Sequence, residues 1–299
     1  MARIIVFLIA FLLAIPIRAI ETNETTGAYD TTAPTSTDIP DWNTGWGADS
    51  VTGWNYVGEV NGASGVYIGN GWVLTAGHVG FGNFTLGGVT YTAVANSSQS
   101  ISNSKGTADL LLFQIASPPE LPSLTLSTGL PVAFSSKQTG SLVAMLGFGG
   151  GYGLTWGLDT ATEINELITP GGYTYVSTDF FTDNGQVVRG SSSITNNATL
   201  VDGDSGGGNF TYNATTRKWE LTGINEVTGS YSDYSGNYAG NGTFSGMVQL
   251  NIYATQINAI VNTPPVTDTP TMPLPALFVM ACLLLLAASH SPEIKRVRD

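Results

Sequence analysis

Short apolar or alternating runs recur along the chain from about residue 41, with glycine, asparagine, serine and aspartate between them. Many short strand-like segments separated by turn residues predict a β-sandwich or a β-barrel. The 37 glycines of the chain agree with frequent tight turns. The clearest runs lie at residues 65–69, 72–75, 110–113, 142–146, 173–176 and 219–224.

One segment near the end of this region has a different period. Between residues 250 and 261 the apolar side chains recur at the spacing of one helix face. They are Leu250, Tyr253, Ala254, Ile257, Ile260 and Val261. The pattern therefore predicts an all-β body that closes with one amphipathic helix.

The N-terminal end differs from the body. Residues 1–19 contain a basic start at Arg3, an apolar run at 4–15 and a small residue, Ala19, which together predict a secretory signal peptide. An uncleaved membrane anchor is the alternative, although the run is shorter than the roughly 20 apolar residues that span a bilayer. Residues 20–40 are rich in threonine and poor in large apolar residues, which predicts a flexible leader.

The C-terminal end predicts a segment outside the fold. Residues 263–272 form a polar, proline-rich linker, and residues 273–299 contain an apolar run and a basic end. With its preceding Met-Pro-Leu-Pro motif, this order resembles the PEP-CTERM sorting tails of Gram-negative bacteria, although their usual motif is Pro-Glu-Pro. The resemblance implies export to the cell surface or beyond and a sorting enzyme that processes the tail. A permanent anchor is the alternative, and either reading confines membrane contact to the terminal segments.

Charge and cysteine content narrow the partners of the folded region. Between residues 20 and 272 the chain has five basic and twenty acidic side chains, a formal charge of −15. This field repels phosphate backbones, so nucleic acid is not an expected partner. The only cysteine, Cys282, lies in the C-terminal apolar run, so the core has to hold without disulfides. With one histidine and no cysteine before the tail, we expect no metal site and no cofactor, although carboxylates leave a calcium loop open.

Two short segments carry candidate chemistry. His78 is the only histidine before the tail and follows a predicted strand, and Ser205 lies in the glycine-rich motif 203–207. Glycines allow a tight turn that could bring the backbone amides of Gly203 and Ser205 to one spot beside the serine hydroxyl. Acyl transfer by serine needs such amides, a base and an orienting carboxylate. The alternatives are a structural histidine and a glycine-rich surface turn.

Segments 72–78, 107–112 and 203–207 resemble the signature blocks of the chymotrypsin-like (trypsin-like) serine proteases, in that family's order of histidine, aspartate and serine. The resemblance spans roughly residues 57–261. It implies two antiparallel six-stranded β-barrels, at about 41–140 and 141–262, with the active site between them.

Site roles follow from the resemblance residue by residue. It implies that Ser205 is the nucleophile, His78 the general base and Asp109 the orienting carboxylate, with an oxyanion hole made by the Gly203 and Ser205 amides. The sequence departs from the family at Gly77, where the family usually has alanine, and at Val79 and Val201, where it usually has cysteine.

The N-terminal region departs from the family as well. An Ile-Val-Gly-Gly-like segment, whose freed amine pairs in animal members with the aspartate matching Asp204, does not occur between residues 20 and 59. We therefore expect that no new N-terminus inserts beside Asp204.

The resulting hypothesis is a secreted serine endopeptidase of 41–262 that cleaves protein or peptide substrates through an acyl-enzyme. The alternative is a catalytically inactive protease fold that serves as a surface binding module. A lipase is disfavoured by the residue order and by the lack of a Gly-x-Ser-x-Gly motif. For specificity, the family places Thr199 at the pocket floor and Asp202 at its rim, which favours neutral side chains, whereas Glu226 in the pocket wall could favour basic ones.

Overall fold

The computed structural model describes residues 20–22, 28–230 and 242–263. The predicted signal peptide at 1–19 and the predicted sorting segment at 273–299 lie outside these residues. No helix in the described part of the chain combines the length and apolar character needed to cross a membrane.

The first of two seven-stranded sheets uses residues 57–114 in the order β5-β4-β1-β2-β3-β7-β6, and all its strand pairs are antiparallel. Its strands are β1 Val57–Val60, β2 Ala63–Gly69, β3 Trp72–Thr75, β4 Phe84–Leu86, β5 Val89–Tyr91, β6 Gln99–Asn103 and β7 Gly106–Gln114.

The second sheet uses residues 142–249 in the order β10-β11-β16-β15-β14-β8-β9 and is likewise antiparallel. A separate hairpin of β12 and β13 stands beside it. The strands are β8 Leu142–Gly147, β9 Thr155–Thr160, β10 Glu163–Ile168, β11 Ser177–Asp183, β12 Gly185–Arg189, β13 Ser192–Asn196, β14 Gly208–Asn213, β15 Lys218–Ser230 and β16 Thr243–Gln249.

The all-β body and the closing helix are confirmed: a 3-10 turn at Leu250–Ile252 leads into α1, Ala254–Val261. The strand count is different, because each sheet has seven strands where six were predicted. In the first sheet, Gly87 and Gly88 take positive φ of 57° and 80°, which permits a tight reversal between two three-residue strands.

A core without disulfides holds the two sheets together. Its largest cluster draws buried side chains from both, including Val66 and Phe113 of the first sheet and Leu146 and Ile224 of the second. Helix α1 adds three buried apolar residues to the same cluster. Burial of apolar surface at roughly 25 cal/mol per Å² is therefore what stabilises this fold.

The segment predicted as a flexible leader packs on the domain at both of its ends. Ile20 is fully buried in a second core cluster, beside Met145, Phe180 and Met247. The backbone of the next residue, Glu21, is hydrogen-bonded to the backbone of Thr199, which precedes the serine motif. Ile39 is also fully buried. The interpretation of 20–40 as a leader outside the fold was wrong at these positions, because single apolar side chains in a polar segment give no periodic signal.

Candidate active site

His78 and Asp109 are hydrogen-bonded to each other. His78 follows β3, Asp109 lies within β7, and these two strands are paired. The Nδ1 atom of His78 is 2.5 Å from Oδ2 of Asp109, and the backbone N–H of His78 donates to Oδ1 at 2.8 Å. A carboxylate accepts only, so Nδ1 carries the proton and the lone pair of Nε2 is left to act as a base.

Ser177, at the start of β11, holds the backbone of the buried aspartate. The N–H of Asp109 donates to the Ser177 hydroxyl oxygen at 2.9 Å, and this hydroxyl donates to Oε1 of Glu226 at 2.8 Å. Asp109 itself is fully buried. No sequence pattern indicated Ser177, because only the pairing of distant strands brings it to this place.

The departure at Gly77 has a local cause. A Cβ atom at this position would lie 2.9 Å from Oδ1 of Asp109 and 2.9 Å from Cζ of Tyr175. The ring of the neighbouring Tyr173 lies 5.2 Å from the imidazole of His78, centroid to centroid. Two tyrosines of the segment before β11 therefore cover the histidine side of the site, and the glycine makes room for one of them.

The turn around Ser205, called the serine turn below, requires glycine at two positions. Gly203 and Gly206 have positive φ of 96° and 84°, a region that only glycine adopts without strain. A Cβ at Gly206 would lie 2.1 Å from the carbonyl oxygen of Ser64, and one at Gly207 would lie 2.1 Å from that of Leu146. The turn is therefore pressed against the backbone of both sheets.

Buried Asn225 also fixes this turn, and sequence reasoning missed it. Its side-chain amide donates to the carbonyl oxygens of Leu146 and Asp204, each at 3.1 Å. Its backbone exchanges hydrogen bonds with the N–H of Gly206 and the carbonyl of Gly207, each at 2.9 Å. Asn225 of β15 therefore holds the turn through both its side chain and its backbone.

Ser64 holds the same turn from the first sheet. Its hydroxyl donates to the carbonyl of Gly203 at 3.1 Å, and its N–H donates to the carbonyl of Ser205 at 2.8 Å. Among the hydrogen bonds of the described residues, none uses the N–H of Gly203 or of Ser205 as donor. These are the two amides predicted for the oxyanion hole.

Ser205 and His78 line one cavity of about 240 Å³. No hydrogen bond joins their side chains among the described residues. Catalytic hydrogen bonds are often long before substrate binds, so this geometry is compatible with a nucleophile and its base.

The environment of His78 favours its charged form. Burial alone would lower the pKa of the imidazole, but the hydrogen bond to Asp109 and the negative charges of Asp109 and Glu226 outweigh it, so the pKa is raised above its ordinary value.

Of the two residues predicted for the substrate pocket, Glu226 lines the same cavity and Thr199 does not. The walls of this cavity are two segments, Leu200 to Gly203 and Asn225 to Thr228. Thr199, predicted at the pocket floor, does not line it. The backbone of Thr199 pairs with that of Glu21 at 3.0 and 3.1 Å, and its hydroxyl accepts a hydrogen bond from Asn184. Thr199 is thus paired with the N-terminal segment, and Leu200 lines the cavity instead.

Glu226, the other predicted pocket residue, does line the cavity but is only 5% exposed. Its Oε1 accepts the hydrogen bond from Ser177, and its side chain contacts that of Asp179. Sequence reasoning had no means of finding Asp179, which is one of several polar residues in an otherwise ordinary strand.

Asp204 is fully buried and accepts hydrogen bonds from three backbone N–H groups. These belong to Val201 and Gly149, at 2.9 and 2.8 Å, and to Ile20. Burial, against the effect of these bonds, raises the pKa of Asp204 to about 8. The backbone nitrogen of Ile20 therefore lies against this carboxyl group, which argues against the prediction that no new N-terminus inserts beside Asp204.

Comparison with protein-family models identifies the family of this chain. The trypsin model matches residues 44–245 of the chain. The chain belongs to the trypsin family. The resemblance read from the three signature segments is thus confirmed at the level of the family, and the trypsin-like domain supports a serine peptidase.

Three solved structures of proteases are similar to the chain. The HtrA-type protease AlgW with a decapeptide is 22% identical, with a TM-score of 0.43 over 67% of this chain and 51% of its own. The Rv3671c protease from M. tuberculosis in its active form is 16% identical, with a TM-score of 0.42 over 68% and 75%. Kallikrein-related peptidase 10 in complex with Zn²⁺ is 18% identical, with a TM-score of 0.43 over 70% and 95%.

The chain matches about half the length of AlgW. None of the curated proteins compared with the chain matches it.

Proposed function

We propose that this protein is a secreted serine endopeptidase that cleaves peptide bonds through an acyl-enzyme, with His78, Asp109 and Ser205 as its catalytic triad. The observation that carries the proposal is that His78, which is hydrogen-bonded to Asp109, lines the same cavity as Ser205. Membership of the trypsin family supports the reaction class.

The residues suit each step of acyl transfer. Oγ of Ser205 attacks the carbonyl carbon of the scissile peptide, and its proton moves to Nε2 of His78. Asp109 stabilises the imidazolium, and the amides of Gly203 and Ser205 donate to the new oxyanion. His78 then protonates the leaving amine, which leaves the acyl group on Ser205. A water molecule, deprotonated by His78, attacks the acyl carbon and releases the carboxylic acid and the free serine.

A fluorophosphonate probe tests this proposal directly. The folded protein should react at Ser205, whose labelled peptide mass spectrometry identifies, and the variant Ser205→Ala should not react. If the folded wild-type protein stays unlabelled and cleaves no casein, the alternative of an inactive protease fold that acts as a binding module is favoured.

The cavity walls support a preference for neutral residues before the scissile bond. Leu200, Val227 and Thr228 are neutral, and the carboxyl group of Glu226 is buried and already bonded to Ser177. A basic substrate side chain would have to bury its own charge to reach this carboxyl group, and the desolvation costs several kcal/mol.

We expect a peptide-library cleavage profile dominated by small or medium apolar residues before the cut. The matched variant Asp202→Asn, which neutralises the exposed rim carboxylate, should leave that profile nearly unchanged. A dominant preference for lysine or arginine in the wild-type enzyme would contradict this assignment.

The two terminal segments support export. We propose that residues 1–19 are removed as a signal peptide and that most of 273–299 is removed by a sorting enzyme of a Gram-negative host. The intact mass of protein from the native host should then lack most of the last 27 residues. A mass that includes residue 299 would favour a permanent anchor instead.

Removal of residues 1–19 would also give Asp204 a charged partner. Cleavage after Ala19 turns the backbone nitrogen of Ile20 into an α-ammonium group, which would then lie at the buried carboxylate of Asp204. We propose that this cleavage is the maturation step. It rests on the contact of Ile20 with Asp204 and on the burial of the Ile20 side chain.

A further inference from the structure

Two carboxyl groups that the proposed mechanism does not use lie behind Asp109. Asp179 of β11 is fully buried, Glu226 of β15 is 5% exposed, and their side chains contact each other. Such a pair is unusual, because buried acids are normally matched by a basic residue. The ionisable groups that face this pair are Asp109 from β7, His78 after β3, and Tyr253 before α1.

A chain of hydrogen bonds connects the pair to the triad. Oε1 of Glu226 accepts from the Ser177 hydroxyl, and that hydroxyl accepts from the backbone N–H of Asp109. Ser177 and Asp179 are two positions apart on β11, so their side chains emerge on the same face of the strand. The pair therefore lies directly behind the residue that orients His78.

The pair needs a proton of its own. Both carboxyl oxygens of Asp179 and Oε2 of Glu226 are buried, and no N–H or O–H of the described residues donates to them. Two ionised carboxylates in contact would repel each other and would leave these oxygens without donors. A proton on one carboxyl group removes one charge and supplies the missing donor. Burial, and then the partner carboxyl, raise the pKa of Glu226 well above its ordinary value, and burial likewise raises the pKa of Asp179.

We propose that Asp179 and Glu226 are a proton-sharing positioning pair, which holds Asp109 through Ser177 and sets the pH at which His78 becomes an active base. The idea rests on the proposed protease function for its kinetic consequence, although the titration of His78 does not depend on turnover. Asp179 and Glu226 touch no reacting atom, so they act through Ser177, Asp109 and the field at His78.

The direction of the effect on His78 follows from coupled titration. A positively charged imidazolium favours ionisation of the pair, and an ionised pair favours the imidazolium. Of the two carboxyl groups, it is the negative charge of Glu226 that acts on His78, so removing this ionisable group lowers the pKa of His78. Because His78 acts as a base only when neutral, the acid limb of the kcat/KM profile moves to lower pH.

Two variants make this test specific. Glu226→Gln retains an oxygen that can accept from Ser177, and it should shift the acid limb to lower pH by roughly half a unit or more. Asp179→Asn should not lower it, because the new amide can donate to Glu226 and leaves that residue ionised. Glu59→Gln, at an exposed position of β1, removes the same charge far from the pair and should leave the limb in place.

The decisive measurement is an NMR pH titration of the His78 ring in the Ser205→Ala background, where no turnover is needed. We expect the titration midpoint of His78 to fall with Glu226→Gln and not with Asp179→Asn. Equal midpoints in all variants, with wild-type enzyme active, would overturn the pair and leave the protease assignment standing. A shifted midpoint in a protein without any hydrolase activity would instead support the pair and refute the protease assignment. If Glu226→Gln does not fold, a midpoint for Asp179→Asn that falls below that of the Ser205→Ala parent overturns the proposal, and one that stays level or rises supports it.

Discussion

Replacing Ser205 with alanine should reduce kcat/KM for a peptide substrate by about 10⁴-fold or more, while the protein stays folded. The loss is large because the hydroxyl is the nucleophile, and no neighbouring side chain can replace it. Stability should change little, since no hydrogen bond of the Ser205 hydroxyl occurs among the described residues. Steady-state kinetics on one fluorogenic peptide and a thermal melt of each variant measure both effects.

The controls separate the nucleophile from its surroundings. His78→Ala should cost a similar factor, and the double variant should be little worse than either single variant, because triad members act as a unit. Ser193→Ala, at an exposed position of the β12–β13 hairpin, should retain wild-type turnover. Wild-type turnover by purified Ser205→Ala would refute the nucleophile assignment.

Keeping even two residues in front of Ile20 should reduce kcat/KM by about a hundredfold or more. In the mature chain the α-ammonium of Ile20 would pair with Asp204, whose carboxylate also accepts from the N–H of Val201 in the serine turn. An uncleaved peptide N–H carries no charge, and burial then raises the pKa of Asp204 to about 8, so that the group is mostly protonated near neutral pH. The comparison is between a chain that begins at Ile20 and one that begins at Arg18.

The pH dependence adds an independent readout of this ion pair. An α-amine that gains a carboxylate partner has a raised folded-state pKa, so the stabilisation is complete below its unfolded value of about 8 and is lost as the pH rises through the folded value. The chain that begins at Ile20 should therefore lose activity at high pH, and Asp204→Asn should remove both the activity and this limb. Glu59→Gln, at an exposed position of β1, removes one carboxylate far from Asp204; it is the control and should have little effect. If the chain beginning at Arg18 is as active as the one beginning at Ile20, maturation at Ile20 is not needed.

The sequence predicted those parts of the site that depend on local chain geometry. The turn at Gly203 and Gly206 could be predicted from the sequence, because a tight turn with positive φ requires glycine wherever it occurs. His78 could be identified because it is the only histidine before the tail, and Asp109 because it lies in the second of the three segments that carry the resemblance. The all-β body and the helix at its end followed from hydrophobic periodicity, which burial imposes on each element separately.

The predictions that failed concern contacts between residues that are distant in the chain. Thr199 was placed at the pocket floor by counting back from Ser205, but strand-like pairing with Glu21 turns it away. Ile20 was assigned to a leader, although its burial beside Phe180 and its contact with Asp204 exist only in the folded chain.

By itself, then, the sequence determined the fold class, the order of the candidate catalytic residues and the glycine-dependent turn, because each is a property of a short segment. The tertiary structure alone decided what surrounds those residues. It placed Ser177 behind Asp109, joined Asp179 to Glu226 and brought Ile20 to Asp204. Contacts of this kind depend on strand register and on the closure of distant segments, and a one-residue change in register would turn every such side chain to the opposite face of its sheet.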